Sequence, residues 1–315
     1  LTFFCSDKDL IVTDATSISL LEDREKRSWL LIGLLTLLVA YAYLNTLIGT
    51  SDAWDSPMYS HGYLIPAFAA FLLYLRREPF GDVTNLERWW GVGIIATATM
   101  LRISGSYMVQ FTIDRLSLVL CLLGVFILVG GFRTLRWAGP AIGFLVFMFP
   151  LPGFMVDKIL RPLQTVATIS SVYALQTFGI EVYRDGNRIE MEGASTMNVV
   201  DQCSGLRMLT IFIALALAIV LISTHRPWWE RIIVLFSSVP IALLVNCIRI
   251  TVTGLLYSLK LDEQIVNQIF HDFAGLIMMP MALGFLFLEM QILSRLVIED
   301  KSAPQSAHVG LGRAT

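Results

Sequence analysis

Cys203, Arg249 and His271 are the side chains in this chain whose types together make an acyl-transfer set. A thiol is a strong nucleophile once deprotonated, and an imidazole titrating near neutrality is suited to take its proton and return it to a leaving amine. A guanidinium offers fixed donors to an oxyanion or a carboxylate. Cys203 lies in the polar run Asp201-Gln-Cys-Ser-Gly205, just ahead of an apolar stretch, where the dipole of the following helix favours a thiolate. The other three cysteines lack that setting. Cys121 and Cys247 lie inside apolar runs, where cysteine acts as a small hydrophobe, and Cys5 lies in a polar end. With no CxxC pair and no His/Cys cluster, neither a metal site, a disulfide framework nor a cofactor is expected. Candidates for supporting roles are His61, which opens a helix in Met58–Pro66, Ser204, Arg207, Asn246 and Asp272. Asp201 and Asp272 are near enough in sequence to orient the imidazole, and Arg207 either holds a substrate carboxylate or snorkels to the interface.

Such residues need a scaffold, and the composition decides its solvent. The 315 residues are 56% hydrophobic and 15% charged, with mean hydropathy +0.68 and net charge −2. Soluble chains carry about a quarter charged residues. The chain therefore belongs in lipid, and a nucleic-acid-binding protein, a disordered tail and a secreted disulfide scaffold are all excluded. The expected fold is an all-α polytopic membrane domain of about eight transmembrane helices: Trp29–Gly49, Gly62–Leu75, Trp90–Val109, Leu116–Gly131, Trp137–Pro150, Leu206–Thr224, Ile232–Leu256 and Phe273–Leu293. The domain spans residues 29–295, between polar cytoplasmic tails at 1–28 and 296–315. No cleaved signal peptide is indicated.

Basic residues set the orientation. Arg24/Lys26/Arg27, Arg76/Arg77/Arg88, Arg133/Arg136, Arg226/Arg231 and Arg295/Lys301 flank alternate ends of the runs, which puts both termini in the cytoplasm. The apolar but polar-sprinkled stretch Asp157–Phe178 would break this alternation as a further crossing. It is read as an amphipathic or re-entrant helix on the outer side, with a ninth span as the alternative. Ile180–Met191 alternates apolar and polar residues around Asp185-Gly186-Asn187, the signature of a β-hairpin.

Depth follows from counting along helices from the inner basic anchors. Cys203 precedes Arg226 by about 34 Å of helix, Arg249 follows Ile232 by about 26 Å, and His271 precedes Arg295 by about 36 Å. All three reach the outer interface. Arg102, by contrast, falls inside the third run and is costly there unless paired, with Asp114 and Arg115 as near partners in the topology.

These residues resemble the exosortase/archaeosortase family of multi-pass membrane cysteine transpeptidases. The resemblance rests on Cys203-Ser-Gly-Leu206, Asn246-Cys-Ile-Arg249-Ile250, His271 opening the last helix, and Ser60-His61-Gly62 near the front. It covers roughly Trp29 to Leu293. Archaeal members tend to carry arginine where this chain has His271, so the bacterial exosortase side is the better match. The resemblance implies that Cys203 is the nucleophile and that Arg249 and His271 are its companions. It implies a bacterial cytoplasmic (inner) membrane location with an outward-facing site. The implied partners are exported proteins ending in a Pro-Glu-Pro-like (PEP) motif, a transmembrane helix and a basic cluster, which the enzyme would cleave and pass to a surface acceptor. Two rivals stand beside it. One is a non-catalytic transporter or polysaccharide-assembly scaffold, which would carry its ionisable residues near the midplane on broken helices. The other is a serine protease using Ser204 with His271, which lacks a Gly-x-Ser-x-Gly context.

Overall fold

The computed structural model describes residues 7–56, 58–108, 110–191, 197–198, 205–223, 226–258 and 274–296. Within them helices dominate: α1 (Asp7–Ala42), α2 (Leu44–Trp54), α3 (Leu64–Arg76), α4 (Asn85–Tyr107), α5 (Phe111–Phe144), α6 (Arg161–Thr177), α7 (Gly205–Ile222), α8 (Trp228–Ser258) and α9 (Ala274–Leu296). Large apolar side chains face outward all along them, including Leu30, Leu34, Leu37 and Leu38 of α1 and Phe236, Leu244 and Val252 of α8. An apolar surface on every side is stable only in lipid, and this is a membrane protein.

By length and composition, two described helical segments qualify as membrane spans, Phe111–Met148 and Trp228–Leu256; the bent pair Asp23–Ala42 and Leu44–Trp54 makes a third only when counted as one broken span. The expected count of eight spans is therefore not confirmed among the described residues. The two expected runs Leu116–Gly131 and Trp137–Pro150 lie within the first of these segments, and its contacts bear out the turn expected between them. Gly131 adopts φ 70°, ψ −176°, which breaks the helical path. Phe126 and Trp137 meet across it, with ring centroids 6.2 Å apart. Along a straight helix they would be about 16 Å apart. The first arm also runs antiparallel to α4, with Gly91 against Leu128, Gly124 against Ile95 and Gly105 against Asp114. The second arm follows α3, with Phe68 on Phe144. Helix α5 is thus a helical hairpin, and a positive φ at its apex is what only glycine adopts without strain.

The alternating basic residues do gather at one end of the bundle. Arg24 pairs with Asp82 and donates to the Gly81 carbonyl. Arg133 lies 3.9 Å from Glu78, Arg76 donates to the Leu221 carbonyl, and Arg226 donates to Glu230 and the Met290 carbonyl. Glu87 caps α4 here through Thr84 and also accepts the Phe132 N–H just past the α5 turn. At the opposite end, Trp54 Nε1 donates to the Met148 carbonyl.

Three segments add detail to the expected map. Residues 7–28, read as a tail, include a helical stretch continuous with the first span. That first run also does not continue straight to Gly49. It bends by 75° at Tyr43, because the ring is buried against α5 with its hydroxyl on Ser117 and the Arg102 guanidinium stacked over its face. The stretch Asp157–Phe178 is helical, entered through a π-helical turn at Val156–Leu160. Its polarity is the reverse of a solvated amphipathic helix. Gln164, Thr168 and Ser171 are buried, while Val166, Ile169 and Tyr173 face outward.

The hairpin forms as read. β1 (Val182–Asp185) pairs antiparallel with β2 (Arg188–Met191) across Gly186, at φ 60°, and Asn187. A short β3 (Met197–Asn198) adds to β2. Val182, Ile189 and Met191 pack with Leu175 of α6 and Ile250 of α8, in a core separate from the two formed by the helices alone. Asn187 at the turn accepts a hydrogen bond from Thr165, and Gln176 donates to the Val182 carbonyl. The hairpin is thereby clipped to α6.

Candidate active site

Arg249 owes its position to α8, the longest helix that contributes to the expected site. Helix α8 packs antiparallel to α7: Leu209, one turn into α7, shares a small cavity with Ala242, Leu243 and Asn246, one turn before Arg249. Helix α9 also runs opposite to α8. Glu289, near its end, accepts from Ser237, and Met290 accepts from Arg226. The starts of α7 and α9, at Gly205 and Ala274, therefore lie toward the end of the bundle where α8 carries Arg249.

Those starts are what Cys203 and His271 precede in sequence. Cys203, Ser204, His271 and Asp272 themselves lie outside the described residues, as does Asp201. Arg207 falls within α7, whose course is described there but not that side chain's surroundings.

Arg249 is half-buried, and its carbonyl accepts a hydrogen bond from Thr253, 2.8 Å away. Ile250 beside it is fully buried against the hairpin and α6, which fixes the rotation of α8 at this level. Asn246, one turn earlier, is only 4% exposed. Its Oδ1 and the Nε2 of Gln164 each lack a hydrogen-bond partner among the described residues, and both residues line the same small cavity. An acceptor and a donor facing one space are what a bridging water satisfies. Two turns beyond Gln164, Ser171 of α6 lies 3.4 Å from Cys247 Sγ and 3.3 Å from its carbonyl. Cys247 is thus a packing thiol in a polar seam, and Cys121 is buried in the apolar core.

His61 reaches the other side of α7. It lies in the 3₁₀ turn Ser60–Tyr63 and lines an apolar cavity of ≈ 180 Å³ with Phe68 of α3, Phe144 of α5, and Ile211 and Ala218 of α7. The turn is clamped in place. A Cβ on Gly62 would come within 2.1 Å of the Trp54 ring, and Tyr63 donates to Asp55 at 2.7 Å while packing edge-on against Trp54.

Among described residues the fold therefore places Asn246 and Arg249 on one side of α7 and His61 on the other. It does not bring Arg102 to this site: Arg102 pairs with Asp114 at 3.9 Å, in a cavity to which α8 contributes no residue. Gln164 was not singled out from sequence. The signal was there, since a glutamine within an apolar helix demands a partner.

No curated protein and no solved structure matches the chain. The family model of the transmembrane exosortases matches residues 53–288, a span that takes in His61, Cys203, Asn246, Arg249 and His271. The chain belongs to the transmembrane exosortase family.

Proposed function

We propose that the chain is a membrane cysteine transpeptidase that removes C-terminal sorting signals from exported proteins at the outer face of a bacterial inner membrane. The reading is carried by one observation. The exosortase match spans a cysteine, an arginine and a histidine that complete an acyl-transfer set, and the helices bearing or following them run to one end of the bundle. In this reading both termini are cytoplasmic, so that the end rich in arginine faces inward.

His271 takes the proton of the Cys203 thiol, and the thiolate attacks the scissile carbonyl near a Pro-Glu-Pro-like motif. Arg249 stabilises the resulting oxyanion or holds the motif's carboxylate. Collapse expels the amine, which leaves with the proton from His271, and an acyl-thioester remains on Cys203. An amine of the surface acceptor, or water, attacks the thioester, its proton passes to His271 and then to the departing thiolate, and the enzyme is restored. The substrate's own transmembrane helix would stand beside the enzyme with its basic cluster inside, which sets the scissile bond at the level of Cys203. Asn246, His61, Ser204, Asp272 and Arg207 have supporting roles.

Tail removal from a reporter ending in such a signal tests the reading in cells. Cys203→Ala abolishes processing and Ser204→Ala retains it. Full processing by the cysteine variant would sink the thiol mechanism, and loss only in the serine variant would transfer the chemistry to Ser204.

A further inference from the structure

We propose that a second site, independent of the catalytic reading, lies under the bend between α1 and α2 and binds a phosphate group. A cavity of ≈ 480 Å³ opens there, in the size range of small-molecule sites. Its polar lining comes from Asn45 and Thr46 of α2, Arg102 and Ser106 near the end of α4, and Asp114 and Arg115 in the first turns of α5.

Two guanidiniums and one carboxylate leave an excess positive charge in this space. Asp114 is already engaged: Thr46 donates to its Oδ2 at 2.6 Å, and its Oδ1 lies 3.9 Å from Arg102 Nε. Arg102 is held flat over the Tyr43 ring, 4.2 Å from its centroid, and Tyr43 is in turn fixed by its hydroxyl bond with Ser117. Stacking and the contact at Nε leave the terminal Nη donors of Arg102 free of any hydrogen bond among the described residues. Arg115, half-buried on the same cavity, makes no ion pair or hydrogen bond among them. A preoriented planar fork and a second guanidinium, with Asp114 the one carboxylate between them, are what a phosphate's oxygens engage.

The surroundings give the ligand two sources with the same chemistry. Phe111 lines the cavity and is exposed, and Leu44, Ile48 and Met108, each within two residues of a lining residue, are exposed too, so an anionic phospholipid would lay its chains on apolar surface with its headgroup inside. Free phosphate would reach the cavity from the aqueous side. The 75° bend at Tyr43 comes directly before Asn45 and Thr46, the α2 residues that supply polar groups to the cavity.

The purified full chain in detergent is offered phosphatidylglycerol, a diacylglycerol with the same chains, and inorganic phosphate, with bound ligand read by native mass spectrometry. The wild type and the control Arg88→Gln, an exposed arginine at the far end of α4, retain phosphatidylglycerol at least tenfold better than diacylglycerol. Arg115→Gln, which breaks no ion pair, loses at least tenfold of that retention, and adding Arg102→Gln removes the rest. Arginine-dependent binding of inorganic phosphate without phosphatidylglycerol retention supports the site with a soluble ligand. Equal retention of phosphatidylglycerol and diacylglycerol with no phosphate bound, or equal retention by Arg115→Gln and Arg88→Gln, overturns the proposal.

Discussion

Gly254→Ala has an effect whose sign reports whether the α6–α8 seam positions Arg249. Gly254 lies on α8 about one turn beyond Arg249, and a Cβ there would meet Leu175 Cδ1 at 2.7 Å and Cδ2 at 2.9 Å. Leu175 is 0% exposed, enclosed by α8 and the hairpin, so its branched end has no room to retreat. On helix propensity alone the added methyl stabilises by about 1 kcal/mol. Overpacking a filled core costs about 1–3 kcal/mol. The net expectation is a loss of roughly 1 kcal/mol, a drop of about 1–2 °C in unfolding midpoint at the usual unfolding entropy per residue.

Leu175→Ala removes the obstruction and by itself costs about 2–5 kcal/mol. In that background Gly254→Ala keeps its propensity gain and fills part of the space left, so it raises the midpoint. The two substitutions then couple by about 2 kcal/mol, within the range of residues in contact. Thermal unfolding of the four proteins in detergent, followed by circular dichroism, measures the cycle. Reporter processing should fall in both single variants and recover partly in the double. A Gly254→Ala that stabilises equally in both backgrounds refutes the packing argument, and processing indifferent to either change refutes the link to Arg249.

Three further predictions rest on separate contacts. Gly62→Ala puts a methyl into the Trp54 ring and displaces the turn that carries His61; processing falls while the overall unfolding midpoint shifts little, and an unchanged rate would remove His61 from the site. Glu230→Gln breaks a pair in which Glu230 is 5% exposed and 2.9 Å from Arg226, leaving the arginine uncompensated, so denaturant titration should show a loss of about 3–5 kcal/mol. Glu87 has its pKa lowered by hydrogen bonds from the Thr84 backbone, the Thr84 hydroxyl and the Phe132 N–H. A lowered folded value means its contribution is present at neutral pH and is lost as pH falls through that value. Wild type should therefore exceed Glu87→Gln in thermal stability at pH 7, and the two should converge in acid.

What the sequence disclosed and what it withheld divide along the range of the interactions. The α5 turn was legible because Arg133 and Arg136 interrupt an apolar stretch beside Gly131, and the hairpin because Asp185-Gly186-Asn187 has few other uses. Both are set by neighbours in the chain. The pairing of Arg102 with Asp114 could be anticipated from cost alone, since an arginine inside an apolar run must find a partner. The bend at Tyr43 carries no glycine or proline; it arises from Ser117 and Arg102, remote in sequence and adjacent only after folding. The company Gln164 keeps with Asn246 was hidden for the same reason. For the site, the residue types were readable, whereas the rotation of α8 that aims Arg249 depends on Leu175, Ile250 and a hairpin packed against both.

The reversed polarity of α6 explains why its seam with α8 falls beside Arg249. In water a helix with one polar face turns that face outward and contributes apolar surface to the core; in lipid the preference inverts, and polar side chains are driven to the protein interior. Gln164, Thr168 and Ser171 thus can be buried only where another helix meets them, and α8 answers with Asn246 and Cys247 at that level. Thr168 and Ser171 spend their hydroxyl hydrogens on carbonyls of their own helix, so the side-chain amides carry the remaining demand. An apolar seam could slide by a turn at little cost. A polar one is tied down where its buried groups meet, Ser171 on Cys247 and the amides of Gln164 and Asn246 at one small cavity, and that register fixes α8, with Arg249 one turn beyond Asn246.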